Sequence, residues 1–410
     1  MQKMYLRFFL AAAAMLLPLL VSAQNTRYLD PIFGSTRTNN IQYGEAAPHN
    51  STTPAPLYLD MYQPTGDTAS RRPVVLAIFG GSFIGGSTSA SDIVAWCDSL
   101  SRRGYVAVAV GYRVGFNIFR TGAVVRAGYR ALQDGRAAVR YLKEYADSFR
   151  IDTTQIFAVG NSAGAITALQ IAYSDDSNRP AESFGIPNGG SDSTDLGCMD
   201  CSGNSYAHTV EIKAVVGLWG AVLDLTGADS SDQTAALMFH STDDTTVPID
   251  SGYALSNPSF PVVYGSRLIH NRLIDLGKSS ELYVYDGLGH NFYYGSNGAF
   301  PNNYWDTVRV PSINFLCRFN TYCDTTQIVS SVQRAQSDAS AAPMRLFPNP
   351  AKELLHFQMP AQASEGEYSI EIFNAQGQAL HSERAYLRPE NGQIQTLTLR
   401  DMPAGFYVLR

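Results

Sequence analysis

The sequence Gly160-Asn161-Ser162-Ala163-Gly164 limits the possible folds of this chain more than any other segment. It follows the apolar, β-branched run Gln155–Val159 and precedes the helix-like run Ala165–Tyr173, so it predicts a sharp turn from a strand into a helix. Glycines on both sides of the serine suit such a turn, because the helix packs closely against the strand and leaves no room for side chains. The pattern predicts that Ser162 stands exposed at the edge of a sheet.

A serine hydroxyl becomes a good nucleophile when a histidine accepts its proton and a carboxylate orients that histidine. His290 lies in a glycine-flanked loop after the strand-like run Glu281–Tyr285, where a loop residue can reach over the sheet edge. We therefore predict that His290 is the base. Three other histidines follow Ser162 in this part of the chain. We expect His240 to support the loop that follows its strand, His270 to lie on the surface of a helix, and His208 to belong to a polar insertion.

Two adjacent carboxylates, Asp243 and Asp244, lie in a polar loop after the strand-like run Ala236–His240. The loop falls between Ser162 and His290, and serine, acid, histidine is a recurring chain order of catalytic triads. Either carboxylate can hydrogen-bond the imidazole while the other caps the loop. The residues alone leave both as candidates, with a solvated acidic turn as the alternative without catalysis.

The apolar run Val74–Ile78 ends in the glycine-rich sequence Phe79-Gly80-Gly81-Ser82-Phe83-Ile84-Gly85-Gly86. Glycines let a backbone come close enough to a reacting carbonyl for its N–H groups to stabilise a developing oxyanion. We assign an oxyanion hole to the N–H groups of Gly81, Ser82 and Ala163. A phosphate-binding loop would need a Walker lysine or a dinucleotide-binding spacing, and this segment has neither.

Together these segments resemble the carboxylesterase (esterase/lipase) branch of the α/β-hydrolase family, from about Leu57 to Phe319. The loop from His240 to Pro248 is similar to the family's H-G-T-x-D-x-x-V-P motif, which places the catalytic acid at Asp244. The resemblance implies an α/β-hydrolase fold, a mostly parallel sheet flanked by helices. It also implies a serine carboxylesterase that forms an acyl-enzyme, and we expect no cofactor and no metal.

The chain departs from the family pattern at two places. Many relatives have H-G-G-G where this chain has Phe79-Gly80-Gly81-Ser82, and Glu or Asp where it has Asn161. The first change removes a histidine that braces the oxyanion loop, although the N–H donors remain. The second is expected to alter the pocket wall more than the chemistry. Arg113 and Asp134 fit the pattern as scaffold residues.

The N-terminus predicts export. Lys3 and Arg7 precede the apolar run Phe8–Val21, and small residues follow, so we predict a signal peptide at residues 1–23 and Gln24 as the mature N-terminus. The run is too short to span a membrane comfortably, and no other segment is apolar enough to cross a bilayer. The expected location is secreted or cell-surface, reached through the periplasm.

The composition changes after the expected catalytic domain, residues 24–324. Residues 325–344 are rich in Ser, Ala and Gln without periodicity, which predicts a linker. Residues 345–410 contain short alternating strands and resemble the C-terminal sorting domain that Bacteroidetes proteins use for type IX secretion. The matching pieces are Pro348-Asn349-Pro350, the Ile372–Gly377 hairpin and Met402–Tyr407. This resemblance implies a small all-β Ig-like sandwich that contacts the secretion machinery; an Ig-like spacer or a carbohydrate-binding module is the alternative.

Five cysteines in an exported chain predict disulfides with one thiol left over. Cys97, on the apolar side of a helix-like run, is expected to be the buried free thiol. We expect local pairing, Cys198 with Cys201 and Cys317 with Cys323, and crossed pairing is the alternative. A zinc site at Cys198, Cys201 and His208 would lack a fourth ligand.

The leading hypothesis is a secreted serine carboxylesterase that acts on a small-molecule or polysaccharide-linked ester. The net charge of -6 argues against a nucleic-acid partner. The insertion around Asn188–Asn204 is expected to cover one side of the site. A serine peptidase of the same fold and a catalytically silent surface binding protein are the alternatives. Aromatic residues near the sheet-end loops suit an aryl or feruloyl ester: Phe83, Phe116, Phe119, Trp219, Phe292 and Tyr293.

Overall fold

The computed structural model describes residues 26–295 and 298–325, and the segments 345–347, 354–358, 366–374, 379–387, 394–399 and 407–409. The predicted signal peptide at residues 1–23 lies outside these residues, as does the predicted linker apart from Thr325. Within the described part of the chain, helices are too short or too polar to cross a membrane.

An eight-stranded sheet forms the centre of the larger part of the molecule. Its strands are β1 Gly34–Ala46, β2 Ala55–Thr65, β3 Arg72–Ile78, β4 Val106–Val110, β5 Ile151–Asn161, β6 Ala214–Leu218, β8 Ala235–Ser241 and β11 Ser280–Tyr285. Their order in the sheet is β1-β2-β4-β3-β5-β6-β8-β11. β1 pairs antiparallel with β2, and β2 with β4, while every later neighbour pairs parallel. This topology confirms the expected α/β-hydrolase fold.

Helices connect the parallel strands, because a parallel pair needs a crossover rather than a hairpin. Among the described residues the α-helices are Ser91–Ser101, Ala123–Glu144, Ala146–Phe149, Ala163–Tyr173, Ser266–Asp275 and Tyr304–Phe319. Short 3₁₀ turns are Asp176–Asn178, Ala181–Phe184, Gly190–Ser193, Leu225–Gly227 and Ala254–Ser256. A small sheet is made by β7 Ala221–Val222, β9 Ser251–Tyr253 and β10 Val262–Gly265, in the order β7-β10-β9.

The core lies on both faces of the central strands. β3, β4 and β6 are buried along their whole length, which explains why they are continuous apolar runs instead of alternating ones. Because the parallel strands share one direction, the loops after β3, β5, β8 and β11 meet at one edge of the sheet, where α/β folds place their ligands.

The described strands of the C-terminal segment form two three-stranded antiparallel sheets. The strands are β12 Arg345–Phe347, β13 Leu354–Gln358, β14 Gly366–Asn374, β15 Ala379–Leu387, β16 Ile394–Thr398 and β17 Tyr407–Leu409. One sheet has the order β12-β13-β16 and the other β15-β14-β17. They share a small apolar cluster of their own, made by Phe357, Ile370, Ile372 and Leu397.

Two disulfides join neighbouring cysteines, Cys198 to Cys201 and Cys317 to Cys323. Cys97 is free and buried. The prediction of local pairing is therefore confirmed, and the crossed alternative is wrong. Since Cys198 and Cys201 bond to each other, they offer no thiolate pair for the zinc site.

Candidate active site

Ser162 occupies the turn between β5 and the helix Ala163–Tyr173. Its backbone lies at φ 52° and ψ -122°, a strained conformation for a residue with a side chain. A Cβ on Gly160 would overlap the carbonyl oxygen of Gly164, and a Cβ on Gly164 would overlap that of Ile78. Main chain packed against main chain therefore requires the two glycines, as the sequence pattern predicts. Ser162 itself is 6% exposed, so the prediction that it stands exposed at the sheet edge is wrong, because the glycine-rich loop after β3 lies against its Cβ.

The loops after β8 and β11 bring a carboxylate and an imidazole to this serine. His290 Nε2 lies 2.9 Å from Ser162 Oγ, and His290 Nδ1 lies 2.7 Å from Asp244 Oδ2. A carboxylate only accepts hydrogen bonds, so Nδ1 carries the proton and Nε2 is free to accept from the serine hydroxyl. The structure places Asp244 against the ring, and Asp243 elsewhere.

Asp244 is buried and saturated with donors. Its Oδ1 accepts the N–H groups of Thr246 and Val247 at 2.8 and 2.9 Å, and His240 Nε2 lies 3.4 Å from its Oδ2. Burial by itself would raise the pKa of Asp244, but hydrogen bonds from His240 and His290 outweigh it and hold the pKa far below its usual range. The carboxylate is therefore ionised at neutral pH.

Asp243 joins the two loops. Its carboxylate accepts the hydroxyl of Ser241 at 2.5 Å and the N–H of Gly289 at 3.0 Å. Gly289 directly precedes His290, so Asp243 holds the loop that carries the imidazole without contacting the ring.

The other three histidines have partners away from Ser162. His240 is fully buried, with Nδ1 2.7 Å from Ser266 Oγ and Nε2 2.8 Å from the Val247 carbonyl. It supports the loop after β8, as predicted. His270 Nδ1 lies 2.9 Å from Ser280 Oγ, and His208 Nε2 lies 2.8 Å from Glu144 Oε2.

The glycine-rich loop after β3 lies beside the nucleophile. Gly81 and Ser82 have positive φ angles of 124° and 54°, and a Cβ on Gly80 would lie 3.1 Å from Ser162 Cβ. Among the described residues, none accepts a hydrogen bond from the backbone N–H of Gly81, Ser82 or Ala163. Ala163 also opens a helix, whose first N–H groups favour negative charge.

Tyr112 supports this loop, a role that the sequence did not suggest. Its ring stacks on Phe79 with centroids 4.2 Å apart, and its hydroxyl donates to the Phe79 carbonyl at 2.8 Å. Phe79 stands where many relatives have the bracing histidine. An aromatic pair therefore braces the loop here, and the only sequence signal was an aromatic residue shortly after β4.

Arg113 and Asp134 form a buried ion pair. The Arg113 backbone N–H donates to Asp134 at 2.7 Å, and its guanidinium lies 2.8 Å from the same carboxylate. Arg113 also donates to the carbonyl of Ala47 and the hydroxyl of Ser202. These contacts join separate segments and agree with the predicted scaffold role.

The insertion before β6 packs along the helix Ala123–Glu144. Arg126 donates to the Thr194 carbonyl and Gln133 donates to the Leu196 carbonyl, both at 2.8 Å. Its role as a cover for the active site stays a prediction.

Of the aromatic residues expected in the pocket, Trp219, Phe292 and Tyr293 are buried in one cluster, and Phe119 is 93% exposed.

The sheet order and the serine between β5 and its helix define the class of the larger domain as an α/β-hydrolase. Residues 59–236 match the BD-FAE family, and residues 345–410 match the family described as the secretion system C-terminal sorting domain. Residues 59–236 are thus similar to the BD-FAE family, and the sorting domain indicates type IX secretion to the cell surface or the extracellular space.

Curated relatives match only parts of the chain. Secreted lipase 1 of Botryotinia fuckeliana is 35% identical over 119 residues, which cover 28% of this chain and 21% of the lipase. Carboxylesterase 5A of Ovis aries is 34% identical over 120 residues, which cover 29% of this chain and 31% of the esterase. The match therefore spans less than a third of the length of either relative.

Solved structures similar to this chain include Thermogutta terrifontis esterase 2 phosphorylated by paraoxon. It is 18% identical, with a TM-score of 0.48, and the alignment covers 70% of this chain and 95% of that one. A truncated carbohydrate esterase from gut microbiota is 16% identical, also with a TM-score of 0.48. That alignment covers 70% of this chain and 97% of the carbohydrate esterase.

Proposed function

We propose that this protein is an exported serine carboxylesterase, in which Ser162 is the nucleophile, His290 the general base and Asp244 the residue that orients it. The observation that carries the proposal is the pair of hydrogen bonds of 2.7 and 2.9 Å that links Asp244 through His290 to Ser162. Nucleophile, base and orienting acid in hydrogen-bond reach form the arrangement that activates a serine hydroxyl.

The reaction would proceed in two halves. His290 Nε2 takes the hydroxyl proton as Ser162 Oγ attacks the ester carbonyl carbon, and the N–H groups of Gly81, Ser82 and Ala163 hold the resulting oxyanion. The imidazolium then protonates the departing alcohol, which leaves an acyl-enzyme. In the second half, His290 Nε2 deprotonates a water that attacks the acyl carbon. The resulting tetrahedral intermediate collapses, the bond between the acyl carbon and Ser162 Oγ breaks, the imidazolium returns its proton to Oγ, and the acid is released.

The esterase-type match over residues 59–236 and the lipase and carboxylesterase relatives support esters as substrates. We assign the substrate class as a small-molecule or polysaccharide-linked carboxylic ester. Purified protein should be screened on short-chain p-nitrophenyl esters, feruloyl esters, acetylated xylan and peptide amides. Ester hydrolysis without amide hydrolysis is the expected result. Amide cleavage alone would indicate a peptidase, and no turnover of any of these substrates would overturn the proposal.

The proposed domain boundaries are a signal peptide at 1–23, a catalytic domain at 24–324, a linker at 325–344 and an Ig-like β-sandwich at 345–410 that engages the secretion machinery. The separate apolar cluster of the C-terminal strands supports this division, and all proposed catalytic groups lie between Gly81 and His290. Deletion of Thr325–Arg410 should leave kcat for ester hydrolysis unchanged within about twofold. A folded but inactive truncation would place the C-terminal segment in the active site.

A further inference from the structure

A buried carboxylate outside the triad receives hydrogen bonds from two parts of the active site. Asp92 lies in the first turn of the helix Ser91–Ser101 and is 1% exposed. Its Oδ2 accepts the amide of Asn161 at 2.6 Å and the hydroxyl of Tyr293 at 2.7 Å. Its Oδ1 accepts the N–H of Ile93 at 2.9 Å.

The two donors on Oδ2 are neighbours of the proposed catalytic residues in the sequence. Asn161 directly precedes Ser162, and Tyr293 follows His290 by three positions. Asn161 also lies against the oxyanion loop, because a Cβ on Gly80 would lie 3.1 Å from Asn161 Oδ1. A single oxygen atom therefore connects the turn that carries the nucleophile to the loop that carries the base.

This position calls for a carboxylate. Donors reach both oxygens of Asp92, and only a group that accepts at both oxygens satisfies them all. Burial and the negative charge of Asp92 raise the pKa of Tyr293 well above its ordinary value, so the tyrosine remains a donor. An asparagine at position 92 would point an N–H₂ group at one of these donors, and a buried unsatisfied donor carries a large desolvation cost.

We propose that Asp92 is a positioning residue of the esterase, which holds Asn161 and Tyr293 so that Ser162 and His290 keep their hydrogen-bonding distance. This inference rests on the proposed function. It does not place Asp92 in contact with substrate, so its loss should affect the rate of acyl transfer more than ground-state binding.

The first test is Asp92→Asn, assayed with p-nitrophenyl butyrate. We expect kcat to fall about 10- to 100-fold, because a small misplacement of reacting groups costs about that much, while KM changes less than about threefold.

The second test is Tyr293→Phe, which removes the hydroxyl that donates to Asp92 and keeps the aromatic ring. Its matched control is Tyr173→Phe, because the Tyr173 hydroxyl is also buried and donates to the Thr234 carbonyl at 3.1 Å. We expect Tyr293→Phe to lower kcat about tenfold and to slow labelling by a fluorophosphonate. Tyr173→Phe should lower the unfolding temperature by about as much as Tyr293→Phe does, and should keep the kcat of the wild type.

Wild-type kcat in Asp92→Asn and Tyr293→Phe would overturn the inference and leave the proposed function intact. If Asp92→Asn does not fold, the comparison of Tyr293→Phe with Tyr173→Phe decides. A wild-type protein without esterase activity would overturn the proposed function and this inference with it.

Discussion

The two halves of the active site are built by different interactions. Backbone packing fixes the nucleophile half, where Gly160 and Gly164 leave no space for a side chain between β5, its helix and the end of β3. Side-chain hydrogen bonds fix the acid–base half, where the Asp244 carboxylate accepts from Thr246, Val247 and His290. The first half should therefore be sensitive to added volume, and the second to a change of charge or hydrogen-bonding capacity.

The largest expected effect is the loss of the nucleophile itself. Ser162→Ala should lower kcat by a factor on the order of 10⁶, because removal of a catalytic serine removes the whole acylation route. Steady-state hydrolysis of p-nitrophenyl butyrate measures it. A loss of kcat below about 100-fold would mean that Ser162 is not the nucleophile and that the nucleophile half has been misassigned.

The next effect distinguishes the two adjacent carboxylates. Asp244→Asn should lower kcat by a factor on the order of 10⁴, because an amide next to Nδ1 favours the wrong imidazole tautomer. Asp243→Asn is the matched control, since Asp243 braces Ser241 and Gly289 and the His290 ring hydrogen-bonds Asp244 instead. We expect it to cost less than about tenfold in kcat. The reverse ranking of the two variants would assign the acid to Asp243.

The nucleophile half is tested by adding a methyl group to one of its glycines and measuring the free energy of unfolding. Gly164→Ala should lower the free energy of unfolding by about 3 kcal/mol or more, because its Cβ meets the Ile78 carbonyl and the main chain must move. Gly85→Ala is the control, since a Cβ there meets nothing within 4 Å. Urea unfolding measures both. Equal stability of the two variants would contradict the close backbone packing of the turn between β5 and the helix Ala163–Tyr173.

The smallest expected effect is a difference in pH dependence. Because the pKa of Asp244 is lower in the folded protein than in the unfolded chain, its contribution to stability is present above about pH 4 and is lost as the pH falls. The stability difference between wild type and Asp244→Asn should therefore shrink between about pH 5 and pH 3. The difference between wild type and Gly164→Ala should stay constant. If the stability differences of both variants from wild type changed with pH in the same way, the two halves would not be held together by different interactions.

The same contrast explains what the sequence could predict. The nucleophile turn was predictable because a strand pattern, two glycines and a helix pattern follow one another within about twenty residues. His290 was predictable from its place after a strand at the sheet edge. Asp243 and Asp244 could not be separated by residue type, because they share one loop and only its conformation turns Asp244 toward the ring.

Contacts between residues that are far apart in the sequence could not be predicted from it. Asp92 is 69 positions from Asn161 and 201 positions from Tyr293, and no local pattern predicts that such residues meet. Tyr112 and Phe79 pack together only because β3 and β4 are neighbours in the sheet. Both contacts depend on the tertiary arrangement, in which strand order and side-chain packing decide the neighbours.

The central claim, that His290 and Asp244 activate Ser162, is tested most directly by covalent labelling. Wild-type protein should be treated with a fluorophosphonate, and the site and extent of labelling determined by intact mass and peptide mapping. One phosphonyl group per chain on the peptide that contains Ser162, with no labelling of Ser162→Ala and much slower labelling of His290→Gln, is the predicted result. Labelling that persists in Ser162→Ala, or that is equally fast in His290→Gln, would contradict the claim.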